Sequence, residues 1–162
     1  MTRRELEVTD IDEILEILNR GSVINLGLWD GEYPYVVPMN YGYTYKDNHL
    51  TFYVHGATKG RKCDVIEKYP KISFAIATDV VPFDGKVACQ YGTSYSCVMG
   101  KGQAKLLDNP EDKMKALTNL MKVQTDEDFE FNERMVSVVN VIQIDIEEFT
   151  AKKRPLPGTR AE

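Results

Sequence analysis

The sequence predicts a mainly β fold, a small barrel of about six antiparallel strands with helices packed around it. Three observations carry this. Six runs rich in β-branched and aromatic residues are bounded by Gly, Pro, Asn and Asp. The first three are joined by tight-turn signals, Asp30-Gly31 and Lys46-Asp47-Asn48, which makes an antiparallel meander. A meander of this size tends to close on itself, because closure removes its unpaired edges. At 162 residues the chain fits one domain, and a domain of that length buries roughly two-thirds of the surface its unfolded form exposes, without a disulfide or metal staple.

The elements follow in chain order. Ile11, Ile14, Leu15 and Leu18 repeat at the spacing of one helical face. Asp10 with Glu13 marks the helix start and Gly21 its stop. Residues 22–29, 33–45 and 50–55 read as the first three strands, and 56–60 as a loop. Residues 61–69 form a short helix ended by Pro70, since the residue before proline leaves the helical region. Ile72, Phe74 and Ile76 alternate in a strand over 72–81, and 82–92 is a loop. The strand over 95–107 carries Gly100 and Gly102, the mark of a bulge or a close backbone approach. Asn109-Pro110-Glu111 opens a helix whose face is Met114, Leu117, Leu120 and Met121. Residues 126–134 are polar and fit a loop or a second short helix. Val139, Val141, Ile144 and Ile146 alternate in a last strand over 136–149. One domain is expected over 1–150, with a loose basic tail over 151–162.

Composition narrows the function classes. The net charge is -5, with only two short basic clusters, around Arg61 and Lys153. Nucleic-acid binding needs a clustered basic face, so no nucleic-acid partner is expected. No run of about 18 apolar residues exists to span a membrane. The charged N-terminus lacks an apolar signal core, so a cytoplasmic protein is expected. Cys63, Cys89 and Cys97 form no C-x-x-C pair and read as reduced thiols. With only His49 and His55 beside them, no metal site is expected.

The sharpest local feature is the stretch from Phe52 to Lys62, where a strand ends, a small-residue loop follows, and Arg61-Lys62 open a helix. Free N–H groups and the helix dipole favour an anion there, and Arg adds a planar fork of donors. A solvated helix end gives the same pattern. His55, just past an apolar run, fits either a packed histidine or a catalytic one. Ser94 and Ser96 lack a nucleophile-elbow context, and Gly100-x-Gly102 lacks the third glycine of a dinucleotide fingerprint. Nine of the sixteen aromatics are Tyr, which serves planar ligands and strand packing alike.

Three stretches together resemble the flavin-binding split-barrel family typified by pyridoxamine 5′-phosphate oxidase, and within it the 5-nitroimidazole resistance branch. These are Val36 through Tyr43, Leu50 through Lys62, and Tyr91 through Gly102. The resemblance implies a homodimeric split β-barrel with flavin, FMN or else FAD, at the subunit interface. It places Val37, Pro38, Met39, Asn40 and Tyr41 along the flavin ring. Tyr53, His55, Ala57, Gly60, Arg61 and Lys62 fall on the phosphate side, with Arg61 and Lys62 as the grips. Ser96, Cys97 and Val98 would approach the flavin from the second subunit. His55 would be the catalytic proton donor or positioning group. The oxidase's substrate lysine is replaced by about Asn40, and no histidine follows His55 to complete its Arg-x-His motif. The implied activity is therefore a flavin-dependent oxidoreductase acting on a small nitro-type acceptor, with a flavin-binding dimer of other or no activity as the alternative.

Overall fold

The computed structural model describes residues 4–158. Helix α1 (Ile11–Arg20) starts at Asp10, whose carboxylate accepts the Asp12 N–H at 3.1 Å, and it buries Ile14, Ile17 and Leu18 against the barrel. Strands β2 (Val23–Trp29) and β3 (Pro34–Asn40) form a hairpin across the Asp30-Gly31 turn, and β4 (Gly42–Lys46) and β5 (His49–Ala57) form a second. Helix α2 (Arg61–Lys68) leads to β6 (Lys71–Phe83) and β7 (Gly92–Leu107). Helices α3 (Pro110–Thr125) and α4 (Glu133–Val136) precede β8 (Val139–Arg154). A two-residue strand, β1 (Glu7–Val8), pairs with the end of β8.

All the strands pair antiparallel in one sheet, ordered β3-β2-β6-β7-β8-β5-β4, with β1 alongside β8. The mainly β class and the barrel with flanking helices match the reading of the sequence. The six expected strands become eight because β1 is added and the 33–45 run divides. The division corrects the simple meander, since β3 and β4 stand at opposite edges of the sheet although only Tyr41 separates them. A sheet whose two edges are one residue apart in the chain must curl until those edges nearly meet, and this gives the split barrel. Tyr41 sits in the seam, fully buried, with its hydroxyl donating to the Leu18 carbonyl at 2.6 Å. Burial drives its phenol pKa far up, so it stays a neutral donor.

The barrel interior is one apolar cluster that includes Leu26, Phe52, Phe74, Ile76, Val98 and Ile144. The Phe52 ring meets Tyr41 edge-on at 5.4 Å and Phe74 at 5.0 Å, so Phe52→Ala would cost about 3–5 kcal/mol. A second cluster of Ala116, Leu117, Val136 and Val141 seats α3 and α4 on the outer face, where Tyr53 also packs.

Gly100 and Gly102 do flank a bulge, because Lys101 pairs with Glu148 while Gly102 pairs with Ile146. Beyond a register shift between Thr78 and Val81, β6 runs on to Phe83, into the expected loop. At that shift Asp79 adopts φ 56° and is clamped by Arg20, with an Nη2–Oδ2 distance of 2.9 Å. Residues 126–134 carry no full helix; α4 begins at Glu133, with Asn132 as its N-cap. Strand β8 also corrects the tail boundary. It runs through Ala151, which is 1% exposed, to Arg154, because β7 and β1 offer it partners there. The last expected tail residues, 159–162, lie outside the described residues.

Candidate functional site

The start of α2 lies beside β3 and β5, where Lys62 reaches Met39 and lies against Gly56. Gly60 takes φ 149°, which side-chain-bearing residues rarely adopt, and no side chain caps the helix. The first helical hydrogen bonds go from the Cys63 and Asp64 N–H groups to the Gly60 carbonyl. The N–H groups of Arg61 and Lys62 are left outside the helical ladder, at its positive end. Asn140 on β8 fastens this loop, donating to the Thr58 carbonyl at 2.9 Å and lying 3.4 Å from Cys63 Sγ.

The two cations differ in their surroundings. Arg61 is ion-paired with Asp30 of the β2–β3 turn, and its guanidinium lies over the Tyr35 ring at 4.8 Å. Asp30 also accepts the Tyr33 N–H at 2.7 Å and the Glu32 N–H at 2.9 Å. Those two backbone bonds, then Arg61, pull its carboxyl down to about 2. Lys62 makes none of the described ion pairs. Its Nζ reaches Met39 Sδ at 3.5 Å and lies against Gly56, where any Cβ would collide with it.

His55 is half-buried beside Lys62, and its Nδ1 is buried without a hydrogen-bond partner among the described residues. Burial first, and the Lys62 charge second, push its pKa down. The imidazole is thus neutral at pH 7, suited to hydrogen bonding or to taking a proton rather than giving one.

Met39, His55, Ala57, Gly60, Arg61 and Lys62 therefore gather around this mouth. Val37 packs on the barrel core, while Pro38 is exposed on β3. Asn40 is tied to the Ser22 carbonyl at 3.0 Å, and Tyr41 is in the seam. Tyr53 lies on the α3 side of β5, in the second cluster. Ser96, Cys97 and Val98 are not brought there. They lie on β7, nine to eleven residues along from Leu107, the residue that shares Val141 with His55, which is on the order of 30 Å along the strand. Ser96 and Val98 are buried in the barrel, and only Cys97 of the three is half-exposed. Burial raises the Cys97 thiol pKa, so it is no ready thiolate. The sequence reading missed Asp30, which carried only a turn signal, and Tyr35, Gly56 and Asn140, which carried only strand or loop signals. Among the described residues, no group of three or more His, Cys, Asp or Glu is placed to hold a metal.

Comparison with known proteins places this arrangement. The profile described as pyridoxamine 5′-phosphate oxidase matches residues 10–153. The chain belongs to the pyridoxamine 5′-phosphate oxidase family. Among solved structures, a candidate 5-nitroimidazole antibiotic resistance protein from Bacteroides thetaiotaomicron is 25% identical, with TM-score 0.77 over 91% of this chain and 86% of that one. The flavocytochrome Anf3 from Azotobacter vinelandii is 19% identical, with TM-score 0.78 over 100% of this chain and 75% of that one. An FAD and heme binding protein from Mycobacterium smegmatis is 12% identical, with TM-score 0.77 over 96% and 76%. At those last two identities the likeness is one of fold. No curated protein matches the chain. This oxidase-family chain has no described helix long and apolar enough to cross a membrane.

Proposed function

We propose that the protein is a cytoplasmic flavin-dependent oxidoreductase, binding FMN at the interface of a homodimer and reducing a small nitro-type acceptor. The observation that carries this reading is the α2 mouth. Among the described residues, the Lys62 ammonium makes no ion pair, the Arg61 and Lys62 N–H groups lie outside the helical ladder, and the buried His55 Nδ1 beside them has no hydrogen-bond partner. The donor set suits a phosphate monoester, and the orphaned imidazole nitrogen suits a polar edge of the ring system beyond it. The resistance protein from Bacteroides, similar over most of both chains, supports the nitro-type acceptor.

Bound flavin supplies the redox chemistry. The chain's own residues bind and orient. Lys62 and the α2 N–H groups hold the phosphate, with Arg61 steering from the Asp30 side. Met39 and the β3 backbone would form a wall for the ring. His55, neutral and unpartnered, accepts or donates one hydrogen bond at Nδ1 and positions the ring or the acceptor. Ser96–Val98 stand far along β7 from the mouth, and in a homodimer a second copy would bring them to its flavin. An FAD would need added room beyond the phosphate, where the exposed Lys59 and Gly60 lie.

An absorbance scan of the purified protein, with mass spectrometry of the released cofactor, tests the reading. Flavin bands with the mass of FMN are expected. A colourless protein that takes up neither FMN nor FAD overturns the reading, and the mass of FAD would correct the cofactor.

A further inference from the structure

The barrel carries a cavity of about 830 Å³ at the far end of β6 and β7, between the 84–91 loop and the segment after β8. None of its lining residues belongs to the α2 mouth. Its walls are apolar at Leu6, Phe83, Pro155 and Leu156, while Arg154 and Lys86 oppose the single carboxylate of Asp84. The cavity thus has a net positive lining in a chain of net charge -5.

Arg154 is the decisive group. Its guanidinium lies over the Phe83 ring, 5.0 Å from the centroid, and it takes part in none of the described ion pairs. Stacking uses the face of the guanidinium and leaves its in-plane N–H fork for an acceptor. The stack depends on Gly92. A Cβ there would come within 2.6 Å of the Phe83 ring and 3.0 Å of Arg154 Nη2. The volume falls within the roughly 300–1,000 Å³ of small-molecule sites, which combine apolar walls with a few fixed polar groups.

We propose that this cavity is a binding site for a small flat carboxylate. The carboxylate pairs with the Arg154 fork, the ring or chain rests on the apolar walls, and Lys86 adds longer-range attraction. Arg154 pairs with Tyr95, the residue before Ser96 on β7, so in the proposed dimer the cavity lies beside the Ser96–Val98 segment.

The test uses 2-naphthoate as probe, with 2-naphthamide as its uncharged isostere, titrated into the full-length protein and followed by the probe's fluorescence. Saturable naphthoate binding is expected, with the amide at least about tenfold weaker, as for loss of a charge-assisted pair. Arg154→Gln should weaken naphthoate at least about tenfold and leave the amide unchanged. A thermal melt of this variant confirms the fold. Equal binding of acid and amide overturns the proposal, as does full naphthoate affinity in a folded Arg154→Gln protein. So does a loss that follows Lys62→Gln instead, which would put the anion at the α2 mouth.

Discussion

The two sides of the α2 mouth hold adjacent cations in opposite electrostatic situations. On the hairpin side, Arg61 is neutralised by Asp30 and stacked on Tyr35. On the sheet side, Lys62 lies by the Met39 thioether, the His55 imidazole and Gly56, and makes none of the described ion pairs. Residues next to each other in sequence are therefore unequal as anion ligands. The guanidinium is committed to holding the β2–β3 turn against the helix, and the ammonium is the charge still available.

Replacing each cation in turn would break or confirm this difference. Lys62→Ala should show the largest effect, weakening FMN retention by about 1.5–3 kcal/mol, as for a lost bond to a charged group. Arg61→Ala should cost less, about 0.5–1 kcal/mol, because its ion pair with Asp30 is exposed on the arginine side. In an Asp30→Asn background the freed Arg61 should matter more, and its effect should approach that of Lys62. Flavin fluorescence titration reads all three. Equal losses for Lys62→Ala and Arg61→Ala in the native background would erase the distinction.

The smallest effect concerns pH. The folded pKa of His55 lies below its ordinary value of 6.5. As pH falls through about 6.5, the unfolded chain therefore takes up the proton first. Stability contributed by the neutral imidazole is present above that pH and is lost as pH falls below it. Urea melts between pH 5 and 8 should show this slope, and His55→Gln should flatten it. A slope unchanged in the variant would mean that another group titrates.

Much of the fold was legible from local chemistry. Asp10 and Asn109 cap their helices as side-chain oxygens at those positions do, and Asp30-Gly31 makes its hairpin. The strand break at Tyr41 was not legible. The residues on both sides favour strand, and what divides them is the burial of one ring against α1. The end of β8 was hidden for a related reason, since Lys152 and Lys153 look like a tail until β1 and β7 supply hydrogen bonds. Within the mouth, the pattern of small residues and cations pointed to Gly60, Arg61 and Lys62. The Asp30–Arg61 pair spans 31 residues, and no local signal announces such a partner. The distance of Ser96–Val98 from His55 is likewise a matter of register, which only the assembled sheet fixes.

The one-residue link at Tyr41 also bears on how the barrel assembles in time. Both hairpins pair residues close in sequence, whereas β5 meets β8 through Thr51 and Asp145, 94 residues apart. Contacts of that span wait for most of the chain to be ordered, and they slow folding. Apart from Asn140 on β8, the mouth comes from one contiguous segment, Asp30 to Lys62. Pulse-labelled hydrogen exchange should protect β2 and β3 amides before those of β8, and simultaneous protection would contradict this order. On this route the barrel is sealed last, by the strand whose residues Val139, Asn140 and Val141 pair with Ala57, Gly56 and His55 at the mouth.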